Sequence, residues 1–441
     1  LSVQKFIVES LEEEGRVVTV PGQEAPATLF DQELHSRVCS GCSCLCDDIS
    51  FFMRGGQVVR TMNLCEIGWR RLRPTALGNQ ARVASPERLG ADVKRAAEIL
   101  RAHRPPLILG AENLDEASIR ICLRLAEALG GRLLPRAFDG IRRFYSRAKR
   151  FGWTTAILDE VRDQADLVIF WRADPLETHH RHLSRYSLFA RGRFTERGNH
   201  DRNLAAVASG KKVIEPLCQQ YFDIPAGEDR RFIEALSQPS SEHGFDHRDF
   251  PMLVKALERA FFHAVFVDPE EIVDEALDAL FLWSARVNSE GRRRMVVLPL
   301  WKKGSNLEGF CQICLEQRGT AWGADFWAES SGMADGSMDW RSLGRQIGSV
   351  LVLPSEGRQM GNLELPEPLT GKPRIVLDPF RQVPADGGHL VIPVAVPGIE
   401  TDGVFFRADG LPLKVAAIEG LTPCPYPAPA EVLGRLLEEV G

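Results

Sequence analysis

The sequence contains no apolar run long enough to cross a bilayer. Its longest, around Val391–Val396, falls far short of the roughly 20 residues that a spanning helix needs. It also has no excess of positive charge. Lys and Arg number 54 against 60 Asp and Glu, a net charge of −6. A broad basic surface is therefore not expected, nor a nucleic acid or a membrane as the main partner. The first residues lead into Leu11-Glu-Glu-Glu14 with no apolar core segment. That start does not resemble a secretory signal, and the protein is expected in the cytoplasm. No internal repeat, low-complexity tract or metalloprotease-type histidine spacing stands out, and no Ser/His/Asp triad can be identified.

What is present is an ordinary globular composition, 44% hydrophobic and 26% charged over 441 residues. At about 100–200 residues per domain, that length implies two to four domains. Residues 1–35 form a polar, acidic extension without a strong period. Residues 36–90 read as a small, loop-rich unit with little apolar periodicity, of the kind a metal holds together.

From residue 91 the texture changes. Val93, Ala96, Ala97 and Leu100 repeat at helical spacing, and Pro105-Pro106 ends that helix. Leu107–Gly110 reads as a buried strand. Asn113 with Glu116 carries a capping-box signature before a helix face of Ile119, Cys122, Leu123 and Ala126. Further strands are expected at Leu167–Phe170, Val213–Ile214, Met295–Leu298, Val350–Leu353, Ile375–Leu377 and Leu390–Ile392. Strands interleaved with helices imply an α/β fold with parallel sheets. After the Pro-rich stretch Pro423–Pro429, Val432, Leu433, Leu436 and Val440 define a last amphipathic helix.

The ten cysteines are unevenly spread, with four between Cys39 and Cys46 and another at Cys65. Clustering in a chain of this kind points to metal rather than disulfides. Cys39, Cys42 and Cys46 give a C-x2-C-x3-C spacing, and Cys65 supplies a fourth thiolate. Four such ligands suit a [4Fe–4S] cluster. Structural zinc and an emptied relic site are the alternatives, although zinc more often shows two CxxC knuckles. Cys44 is the odd one out and is not expected to be a ligand. Other tempting residues have plainer readings. His179, His180 and His182 suit packing or an anion pocket better than a metal. Cys311 and Cys314 sit at helical spacing beside Phe310 and Ile313 and read as core. Trp322, Phe326 and Trp327 are expected at a domain cleft. Arg292–Arg294 reads as a solvated or subunit-facing turn.

The run Cys39-Ser-Gly-Cys42 … Leu45-Cys46-Asp47-Asp48-Ile49 resembles the cluster motif of the formylmethanofuran dehydrogenase B-subunit family. Ala165–Trp171, Asp174-Pro175 and Arg181–Ser187 are similar to that family's central segment. Asn306–Phe310 and Ala324–Phe326 resemble a later stretch, and Val391–Pro393 with Pro397–Gly410 resembles its C-terminal signature. The matches run in order from residue 36 onward. The resemblance implies a molybdopterin-oxidoreductase-like fold: a small iron–sulfur domain and two interleaved Rossmann-like domains, without a C-terminal barrel. The corresponding units are 36–90, then 91–134 with 290–441, then 135–289. In redox members of the family, a tungsten or molybdenum bis-pterin guanine dinucleotide reduces carbon dioxide to formate.

This chain departs from that pattern at three places. Leu133–Tyr145, where the family's metal-ligating Cys or selenocysteine is expected, has neither Cys nor His, and Asp139 stands nearest the position. Where the family shows Gly-Ser-Asn-Pro-like residues, this chain reads Arg172-Ala-Asp174-Pro175. A Val-Asp-Pro-Arg turn becomes Val207–Gly210. The resemblance therefore favours the B subunit of a formyltransferase/hydrolase complex that has lost the pterin. Its implied partners are an amidohydrolase-like A subunit, a formyltransferase subunit and a β-helical C subunit. The alternatives are an active tungsten or molybdenum catalytic subunit, with Asp139 or no protein ligand, and another scaffold protein of the superfamily.

Overall fold

The protein is described here by a computed structural model. It describes residues 30–76, 86–238, 244–302, 304–327, 338–353, 365, 367–379 and 389–441. Most of the expected N-terminal extension lies outside these residues.

Two parallel sheets carry the α/β part. One is built from β4 (Pro106–Leu109), β5 (Arg132–Leu134), β11 (Ala324–Asp325), β12 (Ser349–Val352), β13 (Arg374–Asp378) and β14 (Leu390–Pro393). Their spatial order is β11-β5-β4-β12-β13-β14. Only the edge strand β11 runs antiparallel. The other is built from β6 (Leu167–Trp171), β7 (Asn203–Ala208), β8 (Gln220–Asp223), β9 (Phe262–Val267) and β10 (Arg294–Pro299). Their order is β10-β9-β6-β7-β8. All of its pairings are parallel. Such strands are covered on both faces and so read as continuous apolar runs. Leu167-Val-Ile-Phe-Trp171 is fully buried along its length.

The helices on the first sheet bury the faces their periodicity predicts. Val93, Ala96, Ala97 and Leu100 of the helix Pro86–Ala102 are in the core, as are Ile119, Cys122, Leu123 and Ala126 of Glu116–Ala128. The terminal helix Pro429–Val440 packs on both of these helices through Val432, Leu433 and Leu436.

Three local expectations are corrected. Val213–Ile214 is not a strand; Val213 is 59% exposed and Ile214 leads into a short 3-10 turn at Glu215–Leu217. Two apolar residues between Lys211-Lys212 and Pro216 are too few to build a strand. The Asn113–Glu116 cap shifts as well. Asp115 is the N-cap, with Ser118 Oγ donating to its carboxylate at 2.5 Å. Asn113 instead ties two loops together, accepting from the Ser305 amide at 3.3 Å. Finally, the cysteine segment is not mainly loop. An antiparallel sheet of β1 (Gln32–Arg37), β2 (Ile49–Arg54) and β3 (Gln57–Met62) frames it. The helix Glu66–Ala76 follows. Ile49, Phe51, Met53, Val58 and Leu72 bury against the second sheet's outer layer, giving this unit an apolar core. A small hairpin, β15 (Gly403–Phe406) and β16 (Pro412–Val415), completes the described strands.

Candidate metal centre

The cysteines meet at the junction of β1, β2, β3 and the helix Glu66–Ala76. The loop Cys39–Cys46 leaves β1 and is closed at its base, where the Cys39 amide donates to Cys46 O at 2.8 Å. A turn inside it is closed by the Leu45 amide on Cys42 O at 3.2 Å, with Leu45 in the left-handed region at φ 43°. Two residues apart with a single residue between them, Cys44 and Cys46 meet in one hollow because the left-handed Leu45 bends the chain at that point. Cys65 arrives from the segment after β3, immediately before the helix Glu66–Ala76. That approach depends on two glycines. A Cβ on Gly41 would lie 2.8 Å from Gly68 Cα, and one on Gly68 would lie 2.8 Å from Cys39 Sγ.

The result is a partly enclosed hollow lined by Cys39, Cys42, Cys44, Cys46 and Cys65 with Asn63 and Arg181. The four expected ligands are thus brought together, and Cys44 joins them. Backbone amides point at the sulfurs. Gly41 N–H donates to Cys39 Sγ at 3.3 Å, and the amides of Gly68 and Ile67 donate to Cys65. Burial pushes the Cys39 thiol far above the usual range, with Cys42 and Cys46 adding to it. Burial raises Cys65 too. Cys46 moves the other way, held down first by a hydrogen bond from Cys44 and then, against its burial, by Arg181. Buried thiols that resist losing their protons need a cation to become ligands, which couples metal binding to proton release.

Five thiols line this hollow, and thiolates are ligands for zinc and for iron–sulfur clusters alike. Among the described residues, no three His, Cys, Asp or Glu side chains converge closely enough to hold a single metal ion. Zinc gathers its sulfurs at about 2.3 Å from one centre.

Charged and hydroxyl groups fix the loop to the rest of the molecule. Arg181 grips Asp48 with two bonds of 2.5 and 2.7 Å, and Arg185 pairs with Asp47. Burial works against ionisation of Asp48, but the bond and charge of Arg181 outweigh it and hold the carboxyl below its usual range. Tyr186 OH donates to Cys44 O at 2.9 Å. His179 Nε2 lies 2.9 Å from Ser43 Oγ. Burial lowers the pKa of His179 to about 4 and that of His182 to about 3. Both are buried and neutral at physiological pH. Arg71, fully enclosed, joins the cysteine loop to the first sheet: its Nε donates to Ser40 Oγ at 3.0 Å and its Nη2 to Pro397 O at 3.2 Å. Nothing in the basic stretch around it marks this one arginine as buried.

The remaining candidates lie elsewhere. Asp139 sits in the first turn of the helix Phe138–Phe151, accepting the Met338 amide at 3.1 Å, and does not line the hollow. Cys311 and Cys314 are wholly buried on the helix Leu307–Arg318. Trp322 is buried and Phe326 packs on the core, but Trp327 is 52% exposed, so only part of that aromatic set is enclosed. Arg294 is not a free turn residue; it pairs with Glu160 and lies 4.9 Å over the Phe262 ring.

A second site matters at the carboxyl ends of the second sheet's strands, where open α/β sheets place ligands. Arg172 follows β6 directly with φ 56°, a backbone conformation suited to Gly. Its side chain turns inward. Nε lies 3.0 Å from both Asp229 oxygens, while Nη1 and Nη2 donate to Ile224 O at 3.0 Å and Pro225 O at 3.1 Å. Trp171 Nε1 donates to the same carboxylate at 2.9 Å. Nearby, Asp174 is engaged by the amides of Leu176 at 2.9 Å and Ile214 at 3.1 Å.

Two parallel sheets joined to a thiol-lined unit define an α/β protein with a cysteine centre at one end. No family model matches the chain. Two curated proteins do. The B subunit of tungsten-containing formylmethanofuran dehydrogenase 2 from Methanococcus maripaludis is 24% identical over 444 residues, 91% of this chain and 98% of that one. The protein of the same name from Methanocaldococcus jannaschii is 22% identical over 436 residues, 91% and 97%. Among solved structures, a chain of the formyltransferase/hydrolase complex of Methylorubrum extorquens, in complex with methylofuran, superposes with a TM-score of 0.63. The match covers 82% of this chain and 97% of that one at 20% identity, a likeness of fold. The chain is a homologue of the formylmethanofuran dehydrogenase B subunit.

Proposed function

We propose that this chain is a non-redox B subunit of a formyltransferase/hydrolase-type complex, serving formyl-to-formate one-carbon metabolism linked to methanofuran and tetrahydromethanopterin. The observation that carries this is Arg172. The family resemblance puts a glycine at this position, letting backbone approach a cofactor phosphate. Here the backbone keeps the glycine conformation, and a guanidinium neutralised by Asp229 fills the space beside it. An internal ion pair at that point competes with the pterin guanine dinucleotide for room and for charge. Asp139, already engaged by a backbone amide, supports the same reading.

On this reading the chemistry belongs to other subunits: an amidohydrolase-like A subunit, a formyltransferase and a β-helical C subunit, assembled in the cytoplasm. Cys39, Cys42, Cys46 and Cys65 hold a [4Fe–4S] cluster that acts as a covalent staple for the N-terminal unit. The units are the extension, the cysteine unit and the two α/β units, with the expected edges at 35 and 289 moved to the strand ends at Gln32 and Pro299 so that each sheet stays whole. The alternative, an active tungsten or molybdenum subunit, draws on the names of the two curated relatives. Metal and pterin analysis of the purified complex separates the two. The expected result is iron and sulfide without tungsten, molybdenum or pterin. Stoichiometric tungsten or molybdenum with pterin would defeat the proposal.

A further inference from the structure

The amino-terminal edge of the second sheet lies opposite the crevice that holds Arg172. It carries aromatic and basic side chains that the chain itself leaves unused. Phe261 stands just ahead of β9, its amide held by the Asp166 carboxylate at 3.0 Å. Phe194 stands in the loop before β7, its amide donating to Asp163 O at 2.9 Å. Asp163 and Asp166 are three residues apart, so their Cα atoms lie within about 11 Å of each other. Both phenylalanine side chains are largely exposed. On the same edge, Arg191, Arg193, Arg259 and Arg292 are exposed and Arg293 is half-buried. Arg193 lies 5.4 Å over the Phe194 ring. Among the described residues, none of the five arginines forms an ion pair or a side-chain hydrogen bond. The carboxylates around them are mostly committed: Asp163 pairs with Arg162, Asp201 with Arg197, and Asp166 accepts from the amides of Phe261 and Phe262. Only the exposed Glu196 and Glu258 stand against the five arginines.

We propose that this edge docks an acidic protein surface of a companion subunit, with Phe194 and Phe261 as apolar anchors and the arginines pairing with its carboxylates. This rests on the reading of the chain as a subunit of a larger complex. Aromatic residues and arginine, rather than lysine, are enriched at protein interfaces, and all five cations here are arginines. A second copy of the chain is a poor match, because a two-fold contact would set the same excess of arginines against itself. A nucleic acid or an anionic bilayer would meet a molecule of net charge −6, which works against its approach. Both rings are carried by hydrogen-bonded backbone, so the surface is preformed and docking need not first order a loop.

The test uses the complex purified whole. Phenylglyoxal modifies accessible arginines, and peptide mass spectrometry reads the rate at each site. Arg191, Arg193 and Arg292 should be protected, while Arg95, exposed on the helix Pro86–Ala102, reacts freely. Modification of Arg191 and Arg193 as fast as Arg95 would overturn the proposal. Arg191→Glu/Arg193→Glu should weaken retention of one companion subunit by about tenfold or more, since like charges facing across an interface are costly. Phe194→Ser should weaken the same companion. Lys94→Glu/Arg95→Glu makes the same change in net charge away from this edge and should leave retention unchanged. Retention unchanged in Arg191→Glu/Arg193→Glu, or lost equally in Lys94→Glu/Arg95→Glu, would overturn the proposal. So would protection that persists without companions, which would assign the edge to a second copy. Protection that needs added phosphatidylglycerol vesicles, or that nuclease removes, would assign it to a membrane or a nucleic acid and overturn the proposal too. A wild-type chain that purifies with no companion would overturn the subunit reading itself, whereas failure of the arginine variants alone would leave that reading standing.

Discussion

Removing the Asp229 carboxylate tests the reasoning about the closed crevice most directly. Asp229 is fully buried, as is nearly all of the Arg172 side chain. Asp229→Ala leaves the guanidinium with two backbone carbonyls and no countercharge, and leaves the Trp171 indole N–H without its acceptor. Breaking a buried pair from one side costs about 3–5 kcal/mol. An orphaned indole donor adds about 1–3 kcal/mol. Asp229→Asn keeps an acceptor for both donors and should cost less, about 1–3 kcal/mol. Burial pushes the Asp229 carboxyl above its usual range, against the pull of Arg172. Losing Arg172 therefore leaves an acid that escapes its charge by taking up a proton. Arg172→Gly also relieves a left-handed non-glycine residue, a strain of roughly 1–2 kcal/mol. The double variant Arg172→Gly/Asp229→Ala should accordingly be more stable than Asp229→Ala alone, a non-additive outcome in a double-mutant cycle. Urea unfolding followed by tryptophan fluorescence reports on Trp171 within the pair. An Asp229→Ala protein within about 1 kcal/mol of wild type would refute the claim that this pair occupies a dry, sealed space.

Other outcomes follow from the same structure. Cys42→Ser, prepared anaerobically, should lose iron and acid-labile sulfide and show faster hydrogen exchange in β1, β2 and β3; wild-type protein without iron or sulfide but with those strands fully protected would mean that packing alone holds the unit. Burial raises the Glu308 carboxyl, which accepts from Tyr145 OH at 2.6 Å. A raised folded pKa gives stability that is present at low pH and lost as pH climbs through it, so Glu308→Gln should gain on wild type as pH rises from acid to neutral, and parallel pH profiles in thermal melts would contradict this. Expressed without companions, the chain should aggregate, because obligate subunit interfaces are apolar and Phe194 and Phe261 are 67% and 74% exposed; a well-behaved monomer on gel filtration would count against it.

The parallel sheets were legible because strands covered on both faces carry apolar runs, and the intervening helices carry apolar stripes. Where the side-chain signal weakens, legibility fails. β7 reads Asn-Leu-Ala-Ala-Val-Ala, and alanine is depleted in strands, so this strand carries a weaker side-chain signal than the exposed pair Val213-Ile214, which is not a strand. The sheet around the cysteines did have a signal. Gly55 and Gly56, at φ 57° and 74°, form the two-residue turn between β2 and β3, and a Gly-Gly pair between apolar residues marks a hairpin.

The two sites differ in how much of them a sequence can carry. Ligand spacing is local, so Cys39, Cys42 and Cys46 announce themselves, and Cys65 follows because a fourth thiolate is needed. Whether Cys44 joins them depends on one backbone angle at Leu45, which no residue type there requires. Arg172 was visible as a departure from the family, but a departure alone does not say where a side chain goes. Its partner lies 57 residues away, in a helix whose sequence, Asp229-Arg-Arg-Phe-Ile-Glu, looks like any amphipathic surface helix with an acidic first turn. Only the fold turns that first-turn acid inward, where it meets the guanidinium. A buried guanidinium needs a countercharge, and here that charge comes from a distant position, Asp229.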